Sequence, residues 1–374
     1  MSSTPSSPSS MKKDFSIPLE LFTVDSFTKS PFRGNPAAVC FLTDEALVEK
    51  VDERFPSDLE KENLYKLIAR EMNLSETCFL RRVVRLNKDG DVGGGDQEKR
   101  FQLRWFTPTV EVNLCGHATL AAAHLIFSKF NEQSSEKGQN VETGGPKRLV
   151  FETKSGELSV EKDENDSELL KLNFPAGDPQ PVKIPTHVLL NLLKHLNLLS
   201  NPSNMNNQNS QDQIDSIVKE IILCRKTKKL LLVVKELRHV LKAEPNESAL
   251  LSMNFESDDL QNHVKGVSVN MPVNEMDTES RNELKKLVGN DIEVDKIDFV
   301  TRYFSPWNGI KEDPVNGSSQ TSLCPYYSNK LGKQKLVCFQ ASKRSGILFV
   351  EPISGGRVSI GGYATTMMSA KMFI

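Results

Sequence analysis

A short motif that occurs twice constrains the fold of this chain more than any other feature of its sequence. Residues 104–108 read RWFTP and residues 302–306 read RYFSP, so both run arginine, aromatic residue, phenylalanine, hydroxyl residue, proline. Each copy follows a strand-like segment and leads through a loop to a glycine at the start of an expected helix. That glycine lies 12 positions after Arg104 and 15 positions after Arg302. The shared context predicts an internal duplication and two related halves.

The two expected helices indicate where a binding site can lie. One starts near Gly116 and is apolar on nearly all sides (GHATLAAAHLIF), which is typical of a helix at the centre of a fold. The other starts after Gly317. If the halves face each other about a pseudo-twofold axis, both helix N-termini converge on one cleft. Each N-terminus presents unpaired N–H groups and a partial positive charge, which favours a carboxylate or phosphate group on the ligand.

The remaining pattern predicts an α+β fold. Apolar runs and alternating segments predict many short strands, among them 19–27, 36–42, 77–84, 101–106 and 229–234. Only a few segments have helical spacing, chiefly 58–72, 115–130 and 185–196. Because these helices do not alternate strictly with the strands, we expect mixed or antiparallel sheets and not a doubly wound parallel sheet.

The length of 374 residues suggests about two domains. We expect a disordered tail at 1–14 and a first half at 15–148, completed by a C-terminal strand from 364–374. The second half then covers 149–363. Within it, the region near 200–228 starts with a run rich in Asn, Gln and Ser, and we interpret it as an exposed polar insertion.

Composition and charge argue against several classes of function. The chain has 47 basic and 49 acidic residues, so its net charge of −2 offers no basic field for nucleic acid or an anionic membrane. No apolar run approaches the roughly 20 residues of a membrane span, and the polar N-terminus lacks the apolar core of a signal peptide. The six cysteines form no C-x-x-C pair, so neither a disulfide framework nor a zinc site is expected. We therefore expect a cytoplasmic protein with free thiols.

Five segments together resemble the PhzF-like isomerases of phenazine biosynthesis. They are VDSFTKSPFRGNPAAVCFL (24–42), AREMNLSETCFL (69–80), LRWFTPTVEVNLCGHATLAAAH (103–124), TRYFSPWNGIKEDPVNGSS (301–319) and GRVSIGGYA (356–364). The segments span nearly the whole chain and follow the family's order. Because that family is similar in fold to diaminopimelate epimerase, the resemblance implies two pseudo-symmetric halves, each a mixed or antiparallel sheet curled around a central helix.

The resemblance also implies an activity. It is that of a cofactor-independent isomerase, without metal, that moves a proton within a small carboxylate-bearing metabolite by means of a single glutamate. The type reaction is that of trans-2,3-dihydro-3-hydroxyanthranilate isomerase. The resemblance further suggests a homodimer, with the small-molecule carboxylate as ligand and no nucleic-acid or membrane partner.

The resemblance assigns the general acid/base to Glu76, in the N-x-S-E-T motif at 73–77. Apolar neighbours such as Leu74 and Phe79 can desolvate the carboxyl group and raise its pKa. One group can then both take and return a proton near neutral pH. On the residues alone, a solvated glutamate at a strand start is the simpler interpretation, and the motif favours the catalytic one.

The resemblance places the substrate-binding residues at the two helix starts: Gly116 and His117 in CGHAT, and Asp313, Gly317 and Ser318 in EDPVNGS. A helix N-terminus disfavours an imidazolium, so His117 is expected as a neutral hydrogen-bond partner. Asp313 can orient an amine or hydroxyl group, and Ser318 can bind a carboxylate. A capping or core histidine, an Asp-Pro turn and a serine N-cap are the simpler interpretations.

Two further residues are weaker candidates. Asn35 lies in a G-N-P run, and most such runs are turns only. Cys115 invites comparison with related racemases, which use one cysteine at each helix start as acid and base. The second helix start has no cysteine near Gly317, since Cys324 lies farther along the chain. We therefore interpret Cys115 as a small packed residue.

The chain departs from the family pattern in two places. Residues 319–323 read SQTSL where the family usually has A-H-C-A-L, and residues 344–346 read RSG where it has R-G-G. Because side chains at the second helix start are expected to line the pocket, the substrate is open. Two alternatives remain: an epimerase or racemase of an amino or hydroxy acid, and a non-catalytic member that binds a metabolite or a protein.

Overall fold

Eighteen strands and ten α-helices form the described part of this computed structural model, which comprises residues 17–83, 98–136, 146–199 and 209–374. The strands are β1 (Pro18–Ser26), β2 (Asn35–Leu42), β3 (Glu76–Arg82), β4 (Glu98–Phe106), β5 (Glu111–Val112), β6 (Arg148–Thr153), β7 (Gly156–Lys162), β8 (Leu170–Pro175), β9 (Pro179–Pro181), β10 (Val218–Cys224), β11 (Lys229–Val234), β12 (Val267–Pro272), β13 (Phe299–Ser305), β14 (Ile310–Asp313), β15 (Leu336–Gln340), β16 (Gly346–Ile353), β17 (Arg357–Gly362) and β18 (Ala364–Phe373). The helices are α1 (Glu45–Arg54), α2 (Asp58–Met72), α3 (Gly116–Glu136), α4 (Thr186–His195), α5 (Ser210–Ile217), α6 (Leu237–Lys242), α7 (Glu247–Leu251), α8 (Asp258–His263), α9 (Thr278–Val288) and α10 (Gln320–Leu331). The tail expected at 1–14 lies outside the described residues.

The strand pairings occur twice in the same order. In the first half, β1 pairs antiparallel with β2, β2 parallel with β3, β3 antiparallel with β4 and β4 parallel with β6. Strands β6, β7 and β8 follow as an antiparallel meander. In the second half, β10, β11, β12, β13 and β15 repeat those four pairings, and β15, β16 and β17 repeat the meander. The two related halves predicted from the repeated motif are therefore confirmed.

The halves exchange one strand each. After β8 the chain crosses to pair β9 with β10, and after β17 it crosses back to pair β18 with β1. Strands β8 and β17 pair with each other and join the two sheets. Because β6 to β8 continue the first sheet, the change of half falls after Pro175. The boundary expected between residues 148 and 149 is therefore misplaced.

The repeated arginines have the same role in both halves. Arg104 donates from Nε and Nη2 to the two carboxylate oxygens of Glu111, each at 2.8 Å. Arg302 makes the same two-pronged contact with Glu312, at 2.6 and 2.8 Å. Each pair ties the strand that carries the motif to the short strand before the helix. The arginine and glutamate are 7 positions apart in the first half and 10 in the second, so the three extra residues lie between them.

Each sheet curls around one helix. Helix α3 contacts β1, β2, β3, β8 and β18, and helix α10 contacts β9, β15, β16 and β17. The side chains of Ala118, Ala121, Ala122 and Ala123 are fully buried, and their small size lets the sheet approach α3 closely. The predicted α+β fold, with a central helix in each half, is confirmed. No helix in the described ranges is both long and apolar enough to cross a membrane.

The region near 200–228 differs from the expected polar insertion. Its first part, 200–208, lies outside the described residues. Helix α5 follows, with Ile214 and Ile217 buried, and strand β10 then joins the sheet of the second half. The interpretation as an insertion was therefore wrong for α5 and β10, because their apolar residues pack into the core.

Candidate active site

Glu76 lies where helix α2 ends and strand β3 begins. Helix α2 starts at a capping box, in which Ser57 Oγ accepts from the Glu60 N–H and the Glu60 carboxylate accepts from the Ser57 N–H. It ends at Asn73, whose left-handed backbone (φ 48°) redirects the chain. Glu76 then stands opposite Ala37 of the parallel strand β2. These contacts hold the glutamate inside the first half, where 7% of it is exposed.

The starts of the two central helices touch each other. A Cβ atom built on Gly116 would lie 3.3 Å from the Cα of Gly317. One built on Gly317 would lie 3.5 Å from the Cα of Gly116 and 3.1 Å from the Cζ of Phe27. Glycine at both positions therefore allows the backbones to approach closely. The convergence of the two helix N-termini follows the prediction from the duplication.

Asn35 connects the two halves beside these glycines. Its Nδ2 donates to Asp313 Oδ1 at 2.6 Å and to the Val315 carbonyl at 2.9 Å, and it lies 3.1 Å from His117 Nδ1. Because two of these neighbours are oxygen acceptors, the amide cannot turn its own oxygen toward them. Both hydrogens of Nδ2 go to these oxygens, and an amide nitrogen accepts no hydrogen bond, so we assign His117 Nδ1 as the unprotonated ring nitrogen. Neutral His117 carries its proton on Nε2.

The protonated ring nitrogen of His117 points toward the candidate acid/base. His117 Nε2 lies 3.2 Å from Glu76 Oε2 and 3.3 Å from Ser75 Oγ. The contact with His117 does not have the geometry of a hydrogen bond, and buried Glu76 Oε2 has no hydrogen-bond partner among the described residues. Buried polar atoms are normally paired. An unpaired carboxyl oxygen beside an N–H donor is therefore a place where a substrate atom can bind.

Burial sets the ionisation of these groups. Burial, together with the nearby charge of Asp313, raises the pKa of Glu76 to about 8. Burial lowers the pKa of His117 to about 3. Burial also raises the pKa of Asp313 to about 6, against the opposing effect of its hydrogen bonds from Asn316 and Asn35. At pH 7 Glu76 is mainly protonated, Asp313 is mainly ionised and His117 is neutral. A carboxyl group that titrates this close to neutral pH can both give and take a proton.

Asp313 is held more tightly than Glu76. Its Oδ1 accepts from Asn35 and its Oδ2 accepts from Asn316 Nδ2, each at 2.6 Å. Gln340 fixes the same loop, because its Nε2 donates to the Asp313 carbonyl at 2.6 Å and its Oε1 accepts from the Asn316 N–H at 2.8 Å. With both carboxylate oxygens occupied, Asp313 is suited to holding a charge in place and not to carrying a proton.

Ser318 lies in the turn before α10, not in the helix itself. Its Oγ donates to Asn316 Oδ1 at 3.0 Å. The N–H groups of Gly317 and Ser318 have no hydrogen-bond partner among the described residues, whereas the Ser319 N–H is bonded to Asn316 Oδ1. Two free N–H groups at a helix start form a site for a carboxylate.

The residues that depart from the family pattern are largely paired within the second half. Ser319 Oγ donates to the Asn316 carbonyl at 2.9 Å, and Thr321 Oγ1 to the Ser318 carbonyl at 2.7 Å. Ser322 Oγ lies 2.6 Å from Thr227 Oγ1. Gln320 is fully buried beside Cys338, and its Oε1 has no partner among the described residues.

Cys115 packs against His117, with Sγ 3.5 Å from Nδ1. Burial, together with the nearby charge of Glu76, raises the pKa of Cys115 well above that of an ordinary thiol. The corresponding residue before Gly317 is Asn316, so the second half supplies no partner cysteine. The packing agrees with the interpretation of Cys115 as a packed thiol.

Glu76, Cys115 and His117 also form a group of three possible metal ligands, with one ligand atom of each within 4.8 Å of the others. A metal-bound histidine usually donates its second ring N–H to an acceptor. Here the second ring nitrogen, Nδ1, faces the Nδ2 donor of Asn35, and Nε2 carries the proton. This set of donors does not suit a metal ion.

Comparison with known proteins places this site in a family. A family model described as "Phenazine biosynthesis-like protein" matches residues 24–370. The chain belongs to this family. A phenazine biosynthesis-like domain-containing protein of Bos taurus is 34% identical over 359 residues, which are 95% of this chain and 99% of the relative. A Pseudomonas aeruginosa protein named as an uncharacterized isomerase is 34% identical over 356 residues, which are 95% of this chain and 99% of that protein.

Solved structures agree with the fold. A phenazine biosynthesis protein of the PhzF family from Enterococcus faecalis has a TM-score of 0.64 and 28% identity, with 96% of this chain and 100% of that chain covered. A PhzF-family protein from Bacillus anthracis has a TM-score of 0.62 and 19% identity, with 96% and 99% covered. The resemblance to the PhzF-like family is therefore confirmed.

The structure brings the six residues singled out from the sequence to one place: Glu76, Gly116, His117, Asp313, Gly317 and Ser318. Sequence reasoning underrated Asn35 and overlooked Asn316 and Gln340. The G-N-P run carried a usable signal, because Gly34 (φ +68°) has no room for a side chain and directs Asn35 inward. Asn316 and Gln340 act through contacts that no local pattern announces.

Proposed function

We propose that this protein is an isomerase that moves a proton between carbon atoms of a small carboxylate-bearing metabolite, with Glu76 as its single acid/base. The observation that carries the proposal is the buried Glu76 carboxyl group, which has an unpaired Oε2 and a pKa of about 8. It lies beside a neutral histidine and close to two converging helix N-termini. Family membership supports the same reaction class.

The roles of the other residues follow from their hydrogen bonds. The free N–H groups of Gly317 and Ser318 bind the substrate carboxylate, and the Ser318 hydroxyl holds the loop in place by donating to Asn316 Oδ1. His117 donates from Nε2 to a substrate oxygen and stays neutral, because its pKa is far below 7. Asp313 holds a substrate amine or hydroxyl group.

The proton step needs only Glu76 and the substrate. The ionised form of Glu76, which is the minor form at pH 7, takes a proton from one carbon. The resulting carboxylic acid exchanges its proton with solvent and delivers a proton to another carbon on the same face. Negative charge that develops on the substrate is stabilised by the helix N-termini and by the His117 N–H. No net proton is gained or lost, so Glu76 ends the cycle ionised, as it began it.

An epimerase is less well supported, because inversion needs two acid/base groups on opposite faces of one carbon. Asp313 is the second carboxyl group near the site, but both of its oxygens accept amide hydrogen bonds. Cys115 lacks a partner thiol. The configuration of the substrate α-carbon after turnover separates the two reactions, since isomerisation by one base leaves that centre uninverted.

The test compares turnover with binding. A panel of small carboxylates, with trans-2,3-dihydro-3-hydroxyanthranilate as the first, is screened for conversion by NMR. Glu76→Gln should abolish conversion while the same compound still binds, as measured by calorimetry. Glu71→Gln, an exposed glutamate on α2, changes the same charge and should retain full conversion. Conversion by Glu76→Gln at the wild-type rate would exclude Glu76 as the acid/base, and binding without conversion by the wild type would favour a binding protein.

A further inference from the structure

We propose that the first half carries a second binding site, for a small phosphate-bearing organic anion with a flat apolar part. The site is a groove of about 650 Å³, a size typical of small-molecule sites. It opens between β1, β2, β3, β4, β18, α1 and α3. We call it the basic groove, after its five cationic residues: Lys50, Arg82, Lys99, Lys129 and Lys371.

The groove has an excess of positive charge in a chain whose net charge is −2. Against its five cations stand two anions, Glu20 and Asp44, which leaves 5 − 2 = +3. Glu20 is engaged by Lys129 at 2.5 Å, and Asp44 accepts from the Leu47 N–H at the start of α1. The side chains of the other four cations form no ion pair or hydrogen bond within the described part of the chain. A cluster of cations that have no anionic partner among the described residues favours an anion in the concavity.

Strand register, and not chance surface placement, brings these residues together. Lys371 on β18 stands opposite Glu20 on β1, which stands opposite Phe41 on β2. On the neighbouring pair of strands, β3 and β4, Arg82 stands opposite Phe101. Lys99 is two residues before Phe101 and therefore shares its face of the strand. The positions of the charges are thus fixed by the sheet.

The floor of the groove is apolar. Phe41, Phe101 and Ile126 line it although each is at most 6% exposed. The ammonium group of Lys129 lies 4.4 Å from the centre of the Phe41 ring. A flat ring would contact only the small exposed part of these side chains beside Lys129, and its charged substituents would lie near the cations of the rim. The arginine adds a planar fork that suits phosphate.

The groove is separate from the candidate active site. Helix α3 serves both, with Gly116 at the active site and Ile126 ten residues later in the groove. Ten residues of helix span about 15 Å. A ligand in the groove therefore does not contact Glu76, and this proposal stands or falls independently of the proposed isomerase activity.

Calorimetric titration of the full chain at low salt tests the proposal with three probes: ADP, inorganic pyrophosphate and adenosine. We expect ADP to bind most tightly, because it alone offers both phosphates and a flat ring. The double variant Lys50→Glu/Lys371→Glu should weaken ADP binding at least about tenfold, since it removes two charged contacts and adds two negative charges to the groove. The matched control is Lys285→Glu/Lys335→Glu, two exposed lysines of the second half, and it should bind ADP within about twofold of wild type.

Three results would overturn the proposal. They are undetectable ADP binding by the wild type, equal weakening in the groove variant and its control, and pyrophosphate binding as tight as that of ADP. If the double variant does not fold, as judged by circular dichroism, Lys50→Ala on the exposed side of α1 replaces it. That single change should weaken ADP binding about threefold or more, and unchanged binding would count against the groove.

Discussion

The raised pKa of Glu76 makes a quantitative prediction about stability. In the unfolded chain this carboxyl group titrates near 4.5, and in the folded protein near 8. Because the folded-state pKa is the higher one, the stabilising preference for the protonated form is fully present below pH 4.5. It is lost as the pH rises through 8. Each pH unit between these values costs the folded state about 1.36 kcal/mol.

Glu76→Gln removes this pH dependence, since glutamine has a similar shape and does not ionise. Between pH 5 and pH 9 the free energy of unfolding of the wild type should therefore fall by about 4 kcal/mol relative to the variant. Urea unfolding followed by circular dichroism at pH 5, 7 and 9 measures the difference. His117, whose pKa is lowered to about 3, is present in both proteins, so its contribution cancels.

Glu71→Gln serves as the control, because it removes an exposed carboxyl group from the neighbouring helix α2. Its stability should follow that of the wild type at all three pH values within about 0.5 kcal/mol. If the wild type and Glu76→Gln lose stability in parallel from pH 5 to pH 9, the Glu76 carboxyl group is not protonated at neutral pH. The reasoning about its burial would then be wrong.

Three other predictions concern the surroundings of Glu76. Asn35→Leu removes the donor to Asp313 and Val315. The variant should lose about 1–3 kcal/mol of unfolding free energy in urea titrations, and any conversion rate should fall at least about tenfold. Wild-type values for both quantities would refute the bridging role of Asn35. Gly317→Ala places a Cβ 3.1 Å from the Cζ of Phe27 and should lower the thermal midpoint. A midpoint equal to that of the wild type would contradict the close approach of the two helix starts. Zn²⁺ affinity is measured by competition with a chromophoric chelator, and it should be no higher for the wild type than for Cys115→Ser. A higher affinity of the wild type would show that Glu76, Cys115 and His117 do form a metal site.

Much of the fold was predictable from local patterns. The spacing of apolar residues predicted a helix over 58–72, and α2 has those bounds because a serine cap and a left-handed asparagine mark its ends. The motif repeat predicted two halves, since the same arginine–glutamate pair recurs in each. The helices α6 to α8 escaped prediction, because they have only 5 or 6 residues and so carry too few apolar positions for a helical pattern.

The site residues also fall into two groups, those that local motifs single out and those that only contacts distant in sequence reveal. Glu76 and His117 lie in distinctive motifs, so family resemblance alone could single them out. Asn35 was taken mainly for a turn residue, because its partner Asp313 lies 278 positions away in the sequence. The boundary between the halves was misplaced for a similar reason: only strand pairing shows that β6 to β8 belong with β4. The net charge concealed the basic groove, because a sum over the chain does not show where charges gather.

The role of Glu76 is tested most directly by exchange of substrate hydrogen with solvent. A carboxylate that the wild type converts is incubated in deuterated water, and deuterium at each carbon is followed by NMR and mass spectrometry. We predict that wild type and Glu71→Gln place deuterium at the carbon that receives the proton, without inverting the neighbouring centre, and that Glu76→Gln places none. Deuterium incorporation by Glu76→Gln at the wild-type rate would show that another group moves the proton.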